Sequence, residues 1–316
     1  MTEQNKQIIK ATREGFGAAV AELAKNDRNI IVLSADLSPS LKVDNIRIDL
    51  SGQFVECGVA EQNMVGVASG MALSGKIPFA TSFAEFLTGR AWEQIRIDVC
   101  YNNANVKLIG SHAGLATGED GATHQILEDI ALMRSLPNMT ILSPCDFNEA
   151  YKVTVQATKI KGPVYIRLAR PKTPVLTPNG GPFEIGKISP IKEGRGVIIL
   201  GTGPVLSEAV KAVNGLEEKK EEIGIYSVHT IKPIDKEKII ELAKGARGII
   251  TIEDHQLIGG LGSAVAEVLA DNGISAPLRR LGVNNSFGES GPYHNLWKQH
   301  GMDSISIQAT LKEFLI

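Results

Sequence analysis

Polar and ionisable side chains gather directly after the strand-like segments in the first half of this sequence. In chain order these side chains are Ser34, Asp36, Glu56, Glu61, Thr81, Ser82, Ser111, His112, Glu119, Asp120, His124, Ser143, Asp146, Arg167 and Arg170. In open parallel sheets, ligands bind outside the carboxyl ends of the strands, so these side chains should share one rim. Carboxylates, hydroxyls, histidines and arginines together favour a polar, anionic ligand.

Helix capping offers a plainer explanation for part of this set. Ser143 and Asp146 belong to residue types preferred at N-caps, and the macrodipole favours an acidic residue such as Glu61 in a first turn. Capping does not explain why His112 and His124 share one loop with a Gly-Glu-Asp-Gly segment. We therefore interpret that loop as functional.

The usual signatures of nucleotide, metal and serine-hydrolase sites are absent from the sequence. The Gly-Thr-Gly at 201–203 breaks the dinucleotide pattern, and no P-loop or nucleophile elbow occurs. His112 and His124 lack a helical metal-ligand spacing, so we expect no metal site within this chain. The Gly-Gly-Leu-Gly at 259–262 could seat an anion, although a tight turn explains it more simply.

The composition excludes several classes of protein. The chain has 33 Lys and Arg against 35 Asp and Glu, which argues against nucleic-acid and membrane partners because both need a concentrated positive field. No run of about 18 apolar residues that could span a membrane occurs. The three cysteines, Cys57, Cys100 and Cys145, are too sparse for a disulfide framework, so we expect a cytoplasmic protein.

An alternation of strands and helices must position the candidate residues. Apolar runs such as 30–33 and 106–109 predict buried strands, and longer runs such as 8–24 and 60–73 predict helices. Strands that are apolar on both faces and separated by helices predict a parallel sheet covered on both sides. The predicted fold class is therefore α/β.

A change in composition divides the chain into two parts. Four prolines and two glycines fall within residues 170–182, which predicts a linker rather than a regular element. A second alternation of strands and helices follows. We predict two doubly wound domains, a larger one with a mainly parallel sheet at 1–176 and a smaller one at 187–316, with a linker at 177–186.

Five segments resemble motifs of the transketolase family and occur in the family's order. Residues 58–64 (GVAEQNM) resemble its thiamine-diphosphate glutamate motif, and residues 111–125 (SHAGLATGEDGATHQ) resemble its substrate loop. Residues 11–13 (ATR), 34–40 (SADLSPS) and 168–170 (LAR) match three further segments. The resemblance covers nearly the whole chain and implies a pyrimidine-binding domain followed by a transketolase C-terminal domain.

The resemblance extends only to the second half of a full-length transketolase. The family's first domain binds the diphosphate and its metal through a Gly-Asp-Gly…Asn motif, and no Gly-Asp-Gly occurs here. The resemblance therefore implies the C-terminal subunit of a split transketolase. A separate N-terminal subunit would bind the diphosphate of thiamine diphosphate with Mg²⁺ or Ca²⁺, and self-association would complete a two-fold heterotetramer.

The resemblance also implies which residues contact the cofactor. Glu61 would hydrogen-bond N1′ of the aminopyrimidine and take part in catalysis. Phe83 and Phe86 would pack on the ring as a flat apolar wall, although both could simply belong to the core. The family often has a tyrosine three positions after the second Phe, where this chain has Gly89.

On the substrate side, the resemblance implies two groups of residues. Because histidine titrates near neutral pH, the catalytic pair His112 and His124 would move protons to and from the sugar. Asp120 would accept a hydrogen bond from a substrate hydroxyl. The phosphate end of the sugar would be bound by Arg13, Ser40 and Arg170.

Arg13 and Arg170 also have simpler explanations that involve no ligand. Arg13 could lie on a solvated helix face, and Arg170 could be a charge in the linker. Arg167 matches no family motif, so we predict a structural role for it.

The implied reaction moves a two-carbon ketol unit from a ketose phosphate to an aldose phosphate, as in the pentose phosphate pathway. A 1-deoxyxylulose-5-phosphate synthase-like subunit or a 2-oxo-acid dehydrogenase beta-like subunit would use the same fold. His112 and the segment 38–40 favour the transketolase alternative. A non-catalytic scaffolding subunit would not need to retain the candidate catalytic residues. The physiological sugars stay open.

Overall fold

The computed structural model describes residues 7–315, so the first six residues of the predicted first domain and the last residue of the second lie outside it. The described chain forms a seven-stranded sheet, a five-stranded sheet and a two-stranded ribbon. Between residues 7 and 315, no helix combines the length and the apolar character that crossing a membrane requires.

The strands are β1 Ile9–Lys10, β2 Ile30–Ser34, β3 Phe54–Glu56, β4 Ile77–Phe83, β5 Lys107–Ser111, β6 Thr140–Leu142, β7 Val164–Arg167, β8 Thr173–Pro174, β9 Ser189–Lys192, β10 Val197–Thr202, β11 Ile223–Ser227, β12 Thr230–Lys232, β13 Gly248–Gln256 and β14 Leu278–Val283. The α-helices are α1 Thr12–Asn26, α2 Asp44–Asp49, α3 Glu61–Leu73, α4 Trp92–Gln94, α5 Asp129–Arg134, α6 Phe147–Ala157, α7 Leu206–Asn214, α8 Lys236–Ala243, α9 Leu261–Asp271, α10 Tyr293–Gln299 and α11 Ser304–Phe314. Two π-helical segments, Glu85–Arg90 and Ile95–Tyr101, flank α4, and 3₁₀ turns occur at Ser51–Gln53, Leu115–Asp120 and Lys220–Glu222.

The seven-stranded sheet is buried on both faces. Its order is β12-β6-β7-β5-β4-β2-β3, and every pair except β12 with β6 is parallel. Along β2, Leu33 packs with Met64 of α3, whereas Val32 packs with Phe16 of α1 on the opposite face. Successive strand residues point to opposite faces, so an all-apolar strand needs helices on both sides. The predicted α/β fold class is confirmed.

The five-stranded sheet belongs to the second half of the chain. Its order is β14-β13-β10-β11-β9, with parallel pairs apart from β9 with β11. The second half also contributes β12 to the edge of the seven-stranded sheet. The two halves therefore share backbone hydrogen bonds as well as side-chain contacts.

Two departures from the sequence prediction affect the site. The sequence pattern predicts a helix over 125–133, but helix α5 begins at Asp129 because the preceding residues form the loop that follows β5. Helix α10, which was not predicted from the sequence, packs against the 3₁₀ turn Leu115–Asp120 in that same loop. The loop is thus enclosed by an element from the other half of the chain.

Candidate functional site

The candidate residues lie where β4 and β5 end. Phe83 is the last residue of β4, and His112 directly follows the last residue of β5. These two strands are parallel neighbours, with Phe83 in register with Ser111, so their carboxyl ends meet at one rim. The rim predicted from the sequence is therefore present at this point of the sheet.

Four aromatic rings form one cluster at this rim. The rings of Phe83 and His112 are stacked, with centroids 4.0 Å apart. Phe86 meets His124 edge-on at 5.2 Å and lies 6.1 Å from Phe83. The two candidate cofactor-contacting phenylalanines thus touch the two candidate catalytic histidines. Phe83 is buried and Phe86 is partly exposed, so the wall that the two phenylalanines form does not belong to the core alone.

His112 is held in one tautomer. The guanidinium of Arg13 can only donate, so Nε2 of His112 accepts from Arg13 Nη1 at 3.3 Å. Nδ1 therefore carries the hydrogen and faces Ser111 Oγ at 3.0 Å. Burial, followed by the charges of Arg13 and Arg170, lowers the pKa of His112 to about 3. A pKa this low favours a neutral His112 at physiological pH, and its catalytic role stays a prediction.

His124 has a different environment. It is partly exposed, and its Nδ1 lies 2.9 Å from Thr123 Oγ1. Its Nε2 has no hydrogen-bond partner among the residues that the structure describes. This ring nitrogen is available to a ligand at the rim.

Glu61 opens α3 and is 1% exposed. Its Oε2 accepts a hydrogen bond from Arg90 Nη1 at 2.7 Å, and Oε1 lies 3.4 Å from Ser82 Oγ. The guanidinium of Arg90 also lies over the ring of Phe86, 4.6 Å from its centroid. Glu61 therefore joins the aromatic cluster through Arg90.

Arg90 was not identified from the sequence. The available signal was its position four residues after Phe86, which places a cation beside an aromatic ring on one helical face. Phe86 and Arg90 occupy the π-helical segment that follows β4, so the backbone delivers both to the carboxylate of Glu61. The guanidinium of Arg90 thus meets an aromatic face and a carboxylate, the two kinds of partner that a flat nitrogen heterocycle would use. The residues present thus fit an aminopyrimidine.

Arg13 and Arg170 line a pocket beside the cluster. It has a volume of ≈ 160 Å³ and is also bounded by Thr117, Gly118 and Tyr293. Burial and the charge of Arg170 lower the pKa of Arg13, which shows that the two guanidinium groups share one field. The pocket suits an anion because each guanidinium presents a planar fork of donors.

Ser40 and Asp120, the remaining candidates for binding the phosphate and a hydroxyl of the substrate, each lie against one of the two arginines. Ser40 offers its backbone carbonyl to Arg13 Nη1 at 2.9 Å, so Ser40 positions this arginine. Asp120 Oδ1 lies 3.7 Å from Arg170 Nη1, and Glu119 Oε2 lies 3.1 Å from the same nitrogen. Two carboxylates therefore balance the charge of Arg170.

Arg167 is the last residue of β7, and its structural role stays a prediction. It is buried and pairs with Asp129 at 2.8 Å. Within residues 7–315, no group of three or more His, Cys, Asp and Glu side chains is arranged to hold a metal ion.

Two family models match the chain. The transketolase pyrimidine binding domain matches residues 10–175, and the transketolase C-terminal domain matches residues 186–307. Together they cover the halves that contain the seven-stranded and five-stranded sheets.

Three similar proteins extend this comparison. A Methanocaldococcus jannaschii protein, named for a transketolase C-terminal section, is 44% identical over 97% of this chain and 96% of its own length. A 6-deoxy-6-sulfo-D-fructose transketolase subunit from Clostridium sp. is 37% identical over 93% of this chain and 91% of its own. A solved structure described as a split gene transketolase, inactive beta4 tetramer, is 40% identical with a TM-score of 0.87, covering 97% of this chain and 98% of that one. This chain therefore belongs to the transketolase family, whose members depend on thiamine diphosphate.

Proposed function

We propose that this chain is the C-terminal subunit of a two-chain transketolase that transfers a two-carbon ketol unit between sugar phosphates. The observation that carries the proposal is that Glu61, the aromatic cluster and the two-arginine pocket adjoin one another at a single rim. A deoxyxylulose-phosphate synthase-like or 2-oxo-acid dehydrogenase beta-like activity gains no comparable support. A scaffolding role would leave the convergence of these groups without a purpose.

Within the proposed mechanism, Glu61 holds and exchanges a proton at N1′ of the aminopyrimidine, and Phe83 and Phe86 form the apolar wall beside it. Thiamine diphosphate, when bound, supplies the carbon centre that carries the two-carbon unit. Arg90 occupies the space over Phe86 and against Glu61, so its side chain must move aside for the pyrimidine. Arg90 is half-exposed, so water can hydrate its guanidinium after the side chain has moved aside.

The two histidines divide the work on the substrate. His124 Nε2 is positioned to exchange protons with a sugar hydroxyl or carbonyl at the rim. His112 stays neutral and is oriented by Arg13 and Ser111, so it contributes alignment and polarity rather than an acidic proton. Asp120 accepts a hydrogen bond from a substrate hydroxyl in this proposal.

The two-arginine pocket binds the anionic end of the sugar. Guanidinium forks bind phosphate through paired oxygens, and sulfonate offers the same geometry. A relative named for a sulfo-sugar substrate supports an anionic end without fixing which anion this chain binds. We place the reaction among the sugar-phosphate interconversions of the pentose phosphate type.

A partner subunit completes the proposed enzyme. The absence of Gly-Asp-Gly from the sequence supports placing the diphosphate and its Mg²⁺ or Ca²⁺ on another chain. Large apolar side chains beside α3 are exposed, namely Val59 at 71%, Leu73 at 67% and Tyr101 at 81%. Exposed apolar groups of this kind mark interaction surfaces. We infer a heterotetramer with two copies of each chain.

The partner can be identified by capture. The full chain, tagged and expressed in its own cells, should retain a stoichiometric partner whose sequence contains a Gly-Asp-Gly…Asn motif. A matched control is Leu73→Asp, which places a charge on the exposed apolar surface and should reduce that retention. If the wild-type chain retains only further copies of itself, the two-chain proposal is wrong.

A further inference from the structure

The loop that carries the candidate substrate residues is fastened to the C-terminal half of the chain. This substrate loop, residues 112–125, contains His112, Asp120 and His124. Its backbone N–H groups at Leu115 and Ala116 both donate to the carboxylate of Asp254, at 2.9 Å each. Asp254 belongs to strand β13 of the five-stranded sheet, so a carboxylate of one half holds the backbone of the other.

Asp254 is itself rigidly placed. It is 3% exposed, and its backbone carbonyl accepts a hydrogen bond from Arg167 Nη2 at 2.9 Å. Gly114 has a φ of 77°, and a Cβ there would lie 2.6 Å from the Asp254 carboxylate. The turn that starts the substrate loop therefore fits against Asp254 only because residue 114 is glycine.

Further contacts fasten the far end of the same loop. Gln125 Nε2 donates to the carbonyl of Gly118 at 2.8 Å and to that of Glu289 at 2.9 Å. Ser290 Oγ donates to the carbonyl of Glu119. The loop is thus held near its beginning, middle and end by groups that the catalytic chemistry does not use.

We infer that Asp254 is a positioning residue and that the C-terminal domain acts in catalysis. It does so by holding the substrate loop in place at the rim where β4 and β5 end. Two backbone N–H groups that donate to one buried carboxylate fix both the position and the orientation of the turn between His112 and Asp120. A displacement of about 1 Å in such groups costs about a hundredfold in rate. The kinetic consequence rests on the proposed transketolase function, whereas the fastening of the loop does not.

Asp254→Asn provides the direct test. The asparagine keeps the size of the side chain but presents an N–H₂ group to one of the two backbone N–H donors, so one hydrogen bond must be lost. In the full chain, the amides of 115–121 should exchange hydrogen at least about tenfold faster than in the wild type. In the complex with the partner subunit, kcat/KM for the ketose donor should fall by about tenfold to a hundredfold. The Kd for thiamine diphosphate should stay unchanged.

Asp235→Asn is the matched control. Asp235 is also buried in the C-terminal half and accepts two backbone hydrogen bonds, from Ile188 N at 3.1 Å and Lys238 N at 3.2 Å. It does not touch the substrate loop in the structure. Its variant should lower the melting temperature while leaving loop exchange and kcat/KM at the wild-type values.

The outcomes separate the inference from the proposed function. Equal loop exchange in Asp254→Asn and Asp235→Asn would overturn the inference, whatever activity the complex has. If the wild-type complex transfers no ketol unit, the proposed function fails while the exchange measurement still decides the fastening of the loop. Should Asp254→Asn fail to fold, Ser290→Ala removes the exposed fastening alone and should raise loop exchange in the same direction. Wild-type exchange in that variant would contradict the inference.

Discussion

The two histidines of the rim show how neighbouring groups decide what one residue type can do. Arg13 and burial hold His112 as a neutral ring with a fixed tautomer. His124 is partly exposed and contacts Thr123. The sequence indicated two equivalent proton carriers, whereas we propose proton transfer for His124 and alignment for His112.

Glu61 gives the sharpest prediction for a single residue. In Glu61→Gln, kcat should fall by about a hundredfold or more because the amide cannot exchange a proton with the cofactor. The amide oxygen can still accept the hydrogen bond from Arg90, so the melting temperature should move by only a few degrees. Steady-state kinetics on the assembled enzyme measure the first effect, and calorimetry on the chain without cofactor measures the second. A kcat above a tenth of the wild-type value would contradict the assignment.

We expect Arg170 to bind the anionic end of the substrate. Arg170→Ala should raise KM for a phosphorylated ketose by about tenfold to a hundredfold, because a hydrogen bond to a charged group contributes about 1.5–3 kcal/mol. An unphosphorylated ketose should show a much smaller change. The matched variant Glu119→Gln removes a carboxylate that competes for Arg170 at 3.1 Å and should lower the same KM. Equal effects of Arg170→Ala on both sugars would show that Arg170 does not bind phosphate.

At the residue scale, the sequence predicted which side chains could meet but not how they pair. The roles assigned to Glu61 and the anion-binding arginines remain predictions, although the structure places these residues at one rim. The pairing of Arg90 with Glu61 could not be predicted, since it depends on the π-helical segment that follows β4. Such a segment has no simple periodic signature in a sequence.

The junction between α6 and β11 should make stability depend on pH. Glu149 of α6 is buried, and its carboxyl accepts hydrogen bonds from Cys145 N and from Ser227 Oγ of β11. Burial, followed by the charge of Asp146, raises the pKa of Glu149 from 4.5 to about 7. Its contribution to stability is therefore complete below the unfolded pKa and is lost as the pH rises through the folded pKa.

Glu149→Gln should remove this dependence. Relative to the wild type, the variant should gain melting temperature steadily between about pH 5 and pH 7, because the wild type must bury a charge at the higher pH. Glu237→Gln, at a side chain that is 90% exposed, is the control and should show no such trend. A constant difference between Glu149→Gln and the wild type across this range would refute the interpretation.

Helix α1 is fixed by a close approach to α6. A Cβ at Gly15 would collide with the backbone carbonyl of Phe147 and would lie 3.1 Å from the Ala150 Cβ. Gly15→Ala should therefore cost about 1–3 kcal/mol of unfolding free energy and displace Arg13 two residues earlier. In α3, a Cβ added at Gly70 would meet no atom within 4 Å, so Gly70→Ala should add about 0.4–1 kcal/mol. Urea denaturation of the full chain compares them, and equal signs would contradict this account.

At the element scale, the elements inside each half of the chain were largely predictable, whereas the strand that joins the two halves was not. The strand at 30–33 and the helix at 60–73 correspond to β2 and α3. Strand β12 has three residues, so it offers too few positions for a pattern to be recognised. Its place beside β6 depends on contacts between the two halves of the chain.

At the scale of the whole molecule, the C-terminal half does more than follow the pyrimidine-binding half. It adds β12 to the first sheet and places Asp254 under the substrate loop. The sequence predicted two α/β units, but it could not predict these contacts because each joins residues more than eighty positions apart. The domain boundaries at 176 and 187 remain predictions.

Two-carbon transfer by the separate and combined chains tests the central claim most directly. With thiamine diphosphate, Mg²⁺, a ketose phosphate and an aldose phosphate, the chain alone and the partner alone should each be inactive. The mixture should transfer the ketol unit, and a mixture containing Glu61→Gln should not. Transfer by this chain without its partner, or no transfer by an assembled wild-type complex across a panel of phosphorylated and sulfonated ketoses, would contradict the account.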